Sequence, residues 1–434
     1  MEQILARAKK AASEAEVFQV SSEETQVRFE ANRLKQLHTN QSTSVALRIV
    51  RDGRIGYATT TGTGDGQELV GNAVETAGFG TEAKFQLPDT SSFPKVSIFD
   101  PAVKAVSIKE MIHFGEEMIA AVTGHTPDIM CEAGVSRGVI SVRIINSRGG
   151  QAEYRKSFFS LDIEGNLVNE TDMLFVGESE SSCHPLSDPK KVTDMVLRQL
   201  DLAKNRARAP TKVLPVVFTS NGVASALIMP LISAFNGKIV LEGASPVGNK
   251  LGQPVFDKKF SLRDDPLAAY RPGSRPCDDE GVASQRTHLV KKGVVTGFLY
   301  DLQTAALAGT KSTGNGSRGR GGLPAPAPSA LVVTPGRATF DEMVQDIKEG
   351  LVVEQLMGAE QGNILGGDFS GNVLLGFKVE NGKIVGRVKD TMVSGNVYKI
   401  LKDIAAIGSD TRWVGGFLQT PPFYCHGLSV SSKG

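Results

Sequence analysis

The stretch "DDEGVASQRTHLVKKGVVTGFLYDLQTAALAGTKSTGNGSRG", residues 278–319, carries the features on which the reading of this chain turns. Its centre, "THLVKKGVVTGFLYD", has strand-like runs on both sides of Lys292-Gly293, a β-hairpin signal. Just before it, Cys277-Asp278-Asp279-Glu280-Gly281 sets three carboxylates side by side. Adjacent carboxylates can hold a divalent cation, but on an extended chain successive side chains point to opposite faces. The run therefore reads as a polar turn ahead of a hairpin over 284–300.

After the hairpin comes "KSTGNGSRGRGG", residues 311–322, where glycines alternate with Asn315, Ser317, Arg318 and Arg320. Bare backbone N–H groups and cations suit an anion. The order is nevertheless wrong for a phosphate loop: Lys311 precedes the glycines, and "LPAPAPSALVV" behind them cannot start a helix. By composition the segment is a surface loop. The alternative is an ordered loop, turned sharply by Thr313-Gly314-Asn315, that lines a cleft.

Downstream, "LLGFKVENGKIVGRV" repeats the hairpin signal around Asn381-Gly382, and helices are expected over 221–236, 339–349 and 396–405. Upstream, helical spacing over residues 2–14 is followed by strand-like "AEVFQVS" and "TQVRFEA", a hairpin at Asp52-Gly53 and a closing helix, "GQELVGNAVETAGFG". The same order returns with a helix at 107–124, whose Ser107 and Glu110 form a capping box, then strands around Arg148-Gly149-Gly150 and a helix in 188–208. A structural duplication is expected. The fold class is α+β: an N-terminal α/β domain at 1–84, a Pro/Ser/Thr-rich linker at 85–106, a central α/β domain at 107–210 and a β-rich, largely antiparallel C-terminal domain at 211–434.

The totals narrow the function. At 434 residues the chain exceeds one ordinary core. With 48 basic and 47 acidic side chains, net charge is +1, which gives no general attraction to nucleic acid or acidic membrane. Cys131, Cys183, Cys277 and Cys425 lie far apart, against a disulfide framework. The six histidines include no pair at zinc-ligand spacing, and no G-x-S-x-G elbow occurs. Without a signal-like start or a long apolar run, the protein is expected in the cytoplasm, with no membrane partner.

Residues 278–319 closely resemble the TldD/PmbA family, historically labelled modulators of DNA gyrase. In that family an acid-Glu-Gly turn precedes a hairpin, a short helical stretch and a loop of the "STGNG" type. "VENGKI" (379–384), "TMVSGNVYKILKDIAAIGSD" (391–410) and "PPFYCHGLSV" extend the resemblance in the same order. The family implies a metallopeptidase system whose catalytic member holds zinc with an H-E-x-x-x-H helix and a Cys near the chain end. Neutral His and thiolate hold the ion, and the Glu acts as general base.

Against that pattern this chain has Ile228 and Met229 in place of the first His and the Glu, Ser233 in place of the second His, Pro230 between them, and Gly415 or Gly416 in place of the Cys. The resemblance therefore implies the companion PmbA/TldE type: no catalytic residues and no metal of its own, with zinc only in a TldD-like catalytic partner. Taken alone, 223–235 is a buried apolar helix. A heterodimer with the TldD-like subunit, or a homodimer, acting on unfolded peptides is expected. Thr313, Gly314, Asn315, Gly316 and Arg318 are the candidates for contacting peptide or partner. The alternatives are a divergent peptidase with its own metal geometry and a stand-alone binding protein or gyrase modulator.

Overall fold

The computed structural model describes residues 1–62, 66–89, 92–170, 172–319 and 322–433. Its first unit runs α1 (Glu2–Ala11), β1 (Glu14–Glu30), β2 (Arg33–Arg51), β3 (Arg54–Thr61), α2 (Gly66–Ala77). Asp52 and Gly53 have φ of 50° and 74°, the two left-handed residues that a tight hairpin with the native strand twist requires. The two strands expected from "AEVFQVS" and "TQVRFEA" are one. The polar residues between them do not interrupt β1, because β2 is equally polar opposite: Ser21 meets Thr43 at 2.9 Å and Ser22 meets Ser42 at 2.8 Å, hydroxyl to hydroxyl.

The second unit repeats the order: α3 (Ala102–Ala105) and α4 (Ile108–His125), then β4 (Met130–Asn146), β5 (Gln151–Asn169), β6 (Asp172–Ser182) and α5 (Lys190–Ala203). Ser107 and Glu110 close the capping box at the start of α4. The six strands form one antiparallel sheet ordered β3-β2-β1-β4-β5-β6. Its two halves meet through their first strands, from Glu16 opposite Asn146 to Phe29 opposite Ala133. The duplication is thus a repeat of topology about a two-fold between β1 and β4. Residues 1–84 and 107–210 share this sheet, and Phe85, Leu87 and Ile98 of the intervening segment are buried.

Strand alternation gives the sheet two different faces. Odd-numbered residues of β1, β2, β4 and β5, such as Val17, Leu47, Val135 and Leu161, pack among the apolar side chains of the helices. Even-numbered residues, among them Phe18, Ala46, Val142, Ile144 and Ala152, face Cys277 of the C-terminal region.

That region begins with β7 (Lys212–Phe218). In order round a closed ring of five strands, β7 pairs with Phe423–Ser432, then Thr391–Asn396, Asp368–Glu380 and Glu349–Met357, which returns in parallel to β7. A second sheet holds the hairpin of residues 287–295, turned at Lys292-Gly293 with φ of 47° and 80°. The helix expected over 221–236 is two: α6 (Ser220–Ala226) and α7 (Ile228–Ala234), separated at Leu227. Pro230 lies in the first turn of α7, where a missing N–H costs nothing. Helix over 339–349 stops at Gln345, and Glu349 already begins a ring strand. Helix over 396–405 is confined to Val397–Ile400, after which Ile404–Ile407 pairs with the C-terminal strand. No helix among the described residues is long and apolar enough to cross a membrane.

Candidate functional site

The acidic turn and the glycine loop, read separately in the sequence, are one unit in the fold. Asp278 Oδ1 accepts the N–H groups of Glu280 (3.0 Å) and Val282 (2.9 Å), while its Oδ2 accepts that of Gly316 (2.9 Å). Asp279 donates its own N–H to the Gly316 carbonyl (3.0 Å) and accepts the Arg318 N–H at 2.8 Å. Gly314 has φ +72°, and a Cβ there would stand 2.7 Å from the Ala283 carbonyl oxygen; a Cβ on Gly316 would stand 2.5 Å from Glu280 Oε2. Glycine is needed at both for close approach, and at Gly314 also for its backbone angle.

The segment is no exposed connection. Gly314, Asn315, Gly316 and Arg318 are buried and Thr313 is partly so; Arg320 lies outside the described residues. Asn315 donates from Nδ2 to Asp264 (2.7 Å) and to the Ala327 carbonyl (3.0 Å). Thr313 Oγ1 accepts the Tyr300 N–H at 2.8 Å. Residues 277–281 form the polar turn expected, but it is an interior one: Asp278 and Glu280 are fully buried.

What holds these acids inside comes from the N-terminal sheet. Glu16 on β1 and Arg48 on β2 are cross-strand partners on the even-numbered face. Arg48 donates to Glu16 at 3.0 Å and to Glu280 at 2.6 Å, and Arg318 reaches the other oxygen of Glu16. Two cations and two carboxylates therefore alternate across the junction, all buried. Burial opposes the Arg48 charge, but Glu16 and Glu280 outweigh it and raise its pKa. Burial pushes the carboxyls of Asp278 and Glu280 up, against the pull of Arg275 on the first and Arg48 on the second. Glu16 escaped the sequence reading because an acid in an alternating strand looks solvent-facing; its spacing from Phe18 on the same face was the available signal.

Beside this junction is a cavity of about 510 Å³. Its floor is the even-numbered face of the sheet, with Phe18, Val20, Ser44, Ile140, Val142, Tyr154 and Lys156. Its roof is Gly273, Arg275, Asp279, Ser317, Arg318, Pro328 and Ser329. A second cavity, about 240 Å³, lies by the start of α6 and contains a carboxylate pair. Asn221 Nδ2 bridges Glu178 (2.9 Å) and Glu354 (3.0 Å), and Arg412 grips Glu178 with both terminal nitrogens (3.1 and 2.8 Å). Burial first, then the neighbouring Glu178 charge, raises the pKa of Glu354.

The positions matched to the zinc motif show different chemistry. Ile228 is buried in the core of the closed ring, Met229 is 44% exposed, and Ser233 is partly buried. Gly415 and Gly416, with φ of 58° and 72°, form the turn between Arg412–Val414 and Leu418–Thr420. Zinc takes imidazole, thiolate and carboxylate, and this set does not fit it. Among the described residues, no three His, Cys, Asp or Glu side chains are grouped to hold a metal ion.

Comparison with known proteins agrees with the architecture. Residues 211–432 match the PmbA/TldA metallopeptidase C-terminal domain, and residues 15–78 match PmbA/TldA metallopeptidase domain 1. The chain is 26% identical over 412 residues to an uncharacterized protein of Methanocaldococcus jannaschii, covering 93% of each. To the metalloprotease PmbA of Escherichia coli O157:H7 it is 29% identical over 326 residues, covering 73% of this chain and 68% of that one. The crystal structure of TldE from Thermococcus kodakarensis superposes over 100% of both chains with a TM-score of 0.89 at 20% identity, a likeness of fold. With a family domain matched over more than half its length and the same architecture throughout, the chain is a member of the TldD/PmbA family.

Proposed function

We propose that this chain is the non-catalytic, TldE-like subunit of a cytoplasmic TldD/PmbA-type peptidase complex, and that it helps to hold unfolded peptides while a TldD-like partner supplies zinc. One observation carries the reading. The positions that would bear the zinc ligands and the general base are Ile228, Met229 and Ser233, of which Ile228 is part of the core, with a glycine turn where the thiolate would stand. A metallopeptidase needs a bound water and a base beside it. These side chains supply neither, whereas the surrounding fold is kept. The supporting role assigned to the loop at 313–318 is structural: it joins the N-terminal sheet to the C-terminal region, and so sets the shape of the cavity between them.

The test is reconstitution. The purified chain is mixed with a TldD-type relative that has an intact H-E-x-x-x-H motif, and association and peptide cleavage are measured. The expected result is a heteromeric species by light scattering, with cleavage only in the mixture and abolished by altering the partner's motif. Cleavage by this chain alone, or no association at micromolar concentration, overturns the proposal.

A further inference from the structure

The cavity under the glycine loop contains a lysine, Lys156, with no carboxylate in ion-pair contact among the described residues. Lys156 projects from β5 on the same face as Tyr154, and its ammonium donates to the Pro272 carbonyl at 2.6 Å. No carboxylate lies within 4 Å of it among the described residues, so its partner is that carbonyl and N–H donors remain for another acceptor. The other cations around the cavity are provided for: Arg318 by Glu16, and Arg275 by Asp279 at 3.3 Å. Burial pushes the pKa of Lys156 down, and the more distant Asp279 offsets this only in part. Apart from the hydroxyls of Ser44 and Tyr154 the floor is apolar, with Val20 and Val142 directly opposite one another across β1 and β4.

We propose that this cavity binds an apolar monocarboxylate, its carboxylate on Lys156 and its apolar body along Val20, Ile140 and Val142. An anion would complete the ammonium's shell in a site partly shielded from water, and the apolar floor would select against a bare inorganic ion. The volume is within the ordinary range for small-molecule sites, roughly 300–1,000 Å³. The same chemistry occurs in a free acyl amino acid and at the C-terminus of a peptide. The inference stands on the cavity alone and is independent of the subunit assignment.

The experiment is calorimetry on the full chain without any partner. The probes are N-acetyl-leucyl-phenylalanine, its C-terminal amide, a heptapeptide ending in the same two residues, and inorganic phosphate. The acid should bind at least tenfold more tightly than the amide, and phosphate at equal concentration should not displace it. Lys156→Met should erase the acid's advantage while the free protein stays folded, since the side chain is only partly buried and its one hydrogen bond is to the Pro272 carbonyl. If the heptapeptide binds as well as the dipeptide, the source is a peptide end; if only the dipeptide binds, it is a free small acid, and either supports the proposal. Equal affinity for acid and amide, competition by phosphate at equal strength, or undiminished acid binding in Lys156→Met overturns it.

Discussion

Arg48 and Glu280 are 232 residues apart in sequence, and the guanidinium of the first lies 2.6 Å from the carboxylate of the second in a buried setting. The contact ties strand β2 of the six-stranded sheet to the acidic turn that carries the glycine loop. With Glu16 and Arg318 it makes the junction between the two halves of the molecule ionic, although apolar packing surrounds it.

Removing one cation from this junction should be costly. Arg48→Met leaves Glu280 buried without its cation and Glu16 with only Arg318, a situation that typically costs about 3–5 kcal/mol. Adding Glu280→Gln should recover part of that loss, because the orphaned charge goes with it. Urea unfolding of the two variants checks this; equal stability of Arg48→Met and wild type would show that the junction is not held by the pair.

The loop residues should report first through stability. Asn315→Ala removes the amide that serves Asp264 and the Ala327 carbonyl, and a loss of about 1–3 kcal/mol is expected in thermal or urea melts. Gly316→Ala brings a methyl group against Glu280 and should lower the melting temperature as well. Valine at both Gly314 and Gly316 should destabilise the isolated chain more strongly, because of the close backbone and carboxylate contacts at these sites.

Glu354 gives a pH dependence with a definite sign. Its folded pKa is raised, so the folded state holds a proton that the unfolded state has already lost above the ordinary carboxylate range, about 4.3. The stabilisation it gives is therefore complete below that value and fades as pH rises through the folded pKa. Glu354→Gln, which cannot ionise, should gain on wild type as pH is raised from 4.5 toward 7, by about 1.4 kcal/mol per unit of upward shift. Paired urea titrations at several pH values measure the difference, and a constant difference would refute the assignment.

Elemental analysis tests the metal assignment separately. After gel filtration and a mild chelator wash, the chain should contain well under one equivalent of zinc, since its motif positions hold Ile228, Met229 and Ser233. About one zinc per chain, surviving the wash, would mean that ligands elsewhere have taken over the role.

Local chemistry made the hairpins at Asp52-Gly53, Lys292-Gly293 and Asn381-Gly382 legible from sequence, since each turn needs two left-handed residues and says so in its composition. The capping box at Ser107 was legible for the same reason. The family was legible from ordered motifs in the C-terminal region. The depth at which the motifs lie was not: Asp278, Glu280 and Arg318 look like surface residues until Glu16 and Arg48, hundreds of residues away, are brought against them. Helix ends at Gln345 and Ile400 were lost because pairing with distant strands, at Glu349–Met357 and Ile404–Ile407, overrode local helical preference.

The central pairing of β1 with β4 has a consequence for how the chain comes off the ribosome. As synthesis proceeds, β1, β2 and β3 can form a meander by local hairpins, but the inner edge of β1 has no partner until residues 133–146 have emerged. From the completion of β3 at Thr61 until Ala133 has emerged, the nascent chain therefore presents a long strand edge of the kind that invites pairing with other chains. The polar stretch Ser21–Glu24, with Gln26 and Arg28 beyond it, lies along that waiting edge. Its hydroxyls and charges, which made the sequence look like two strands, would keep the edge soluble until its own partner arrives.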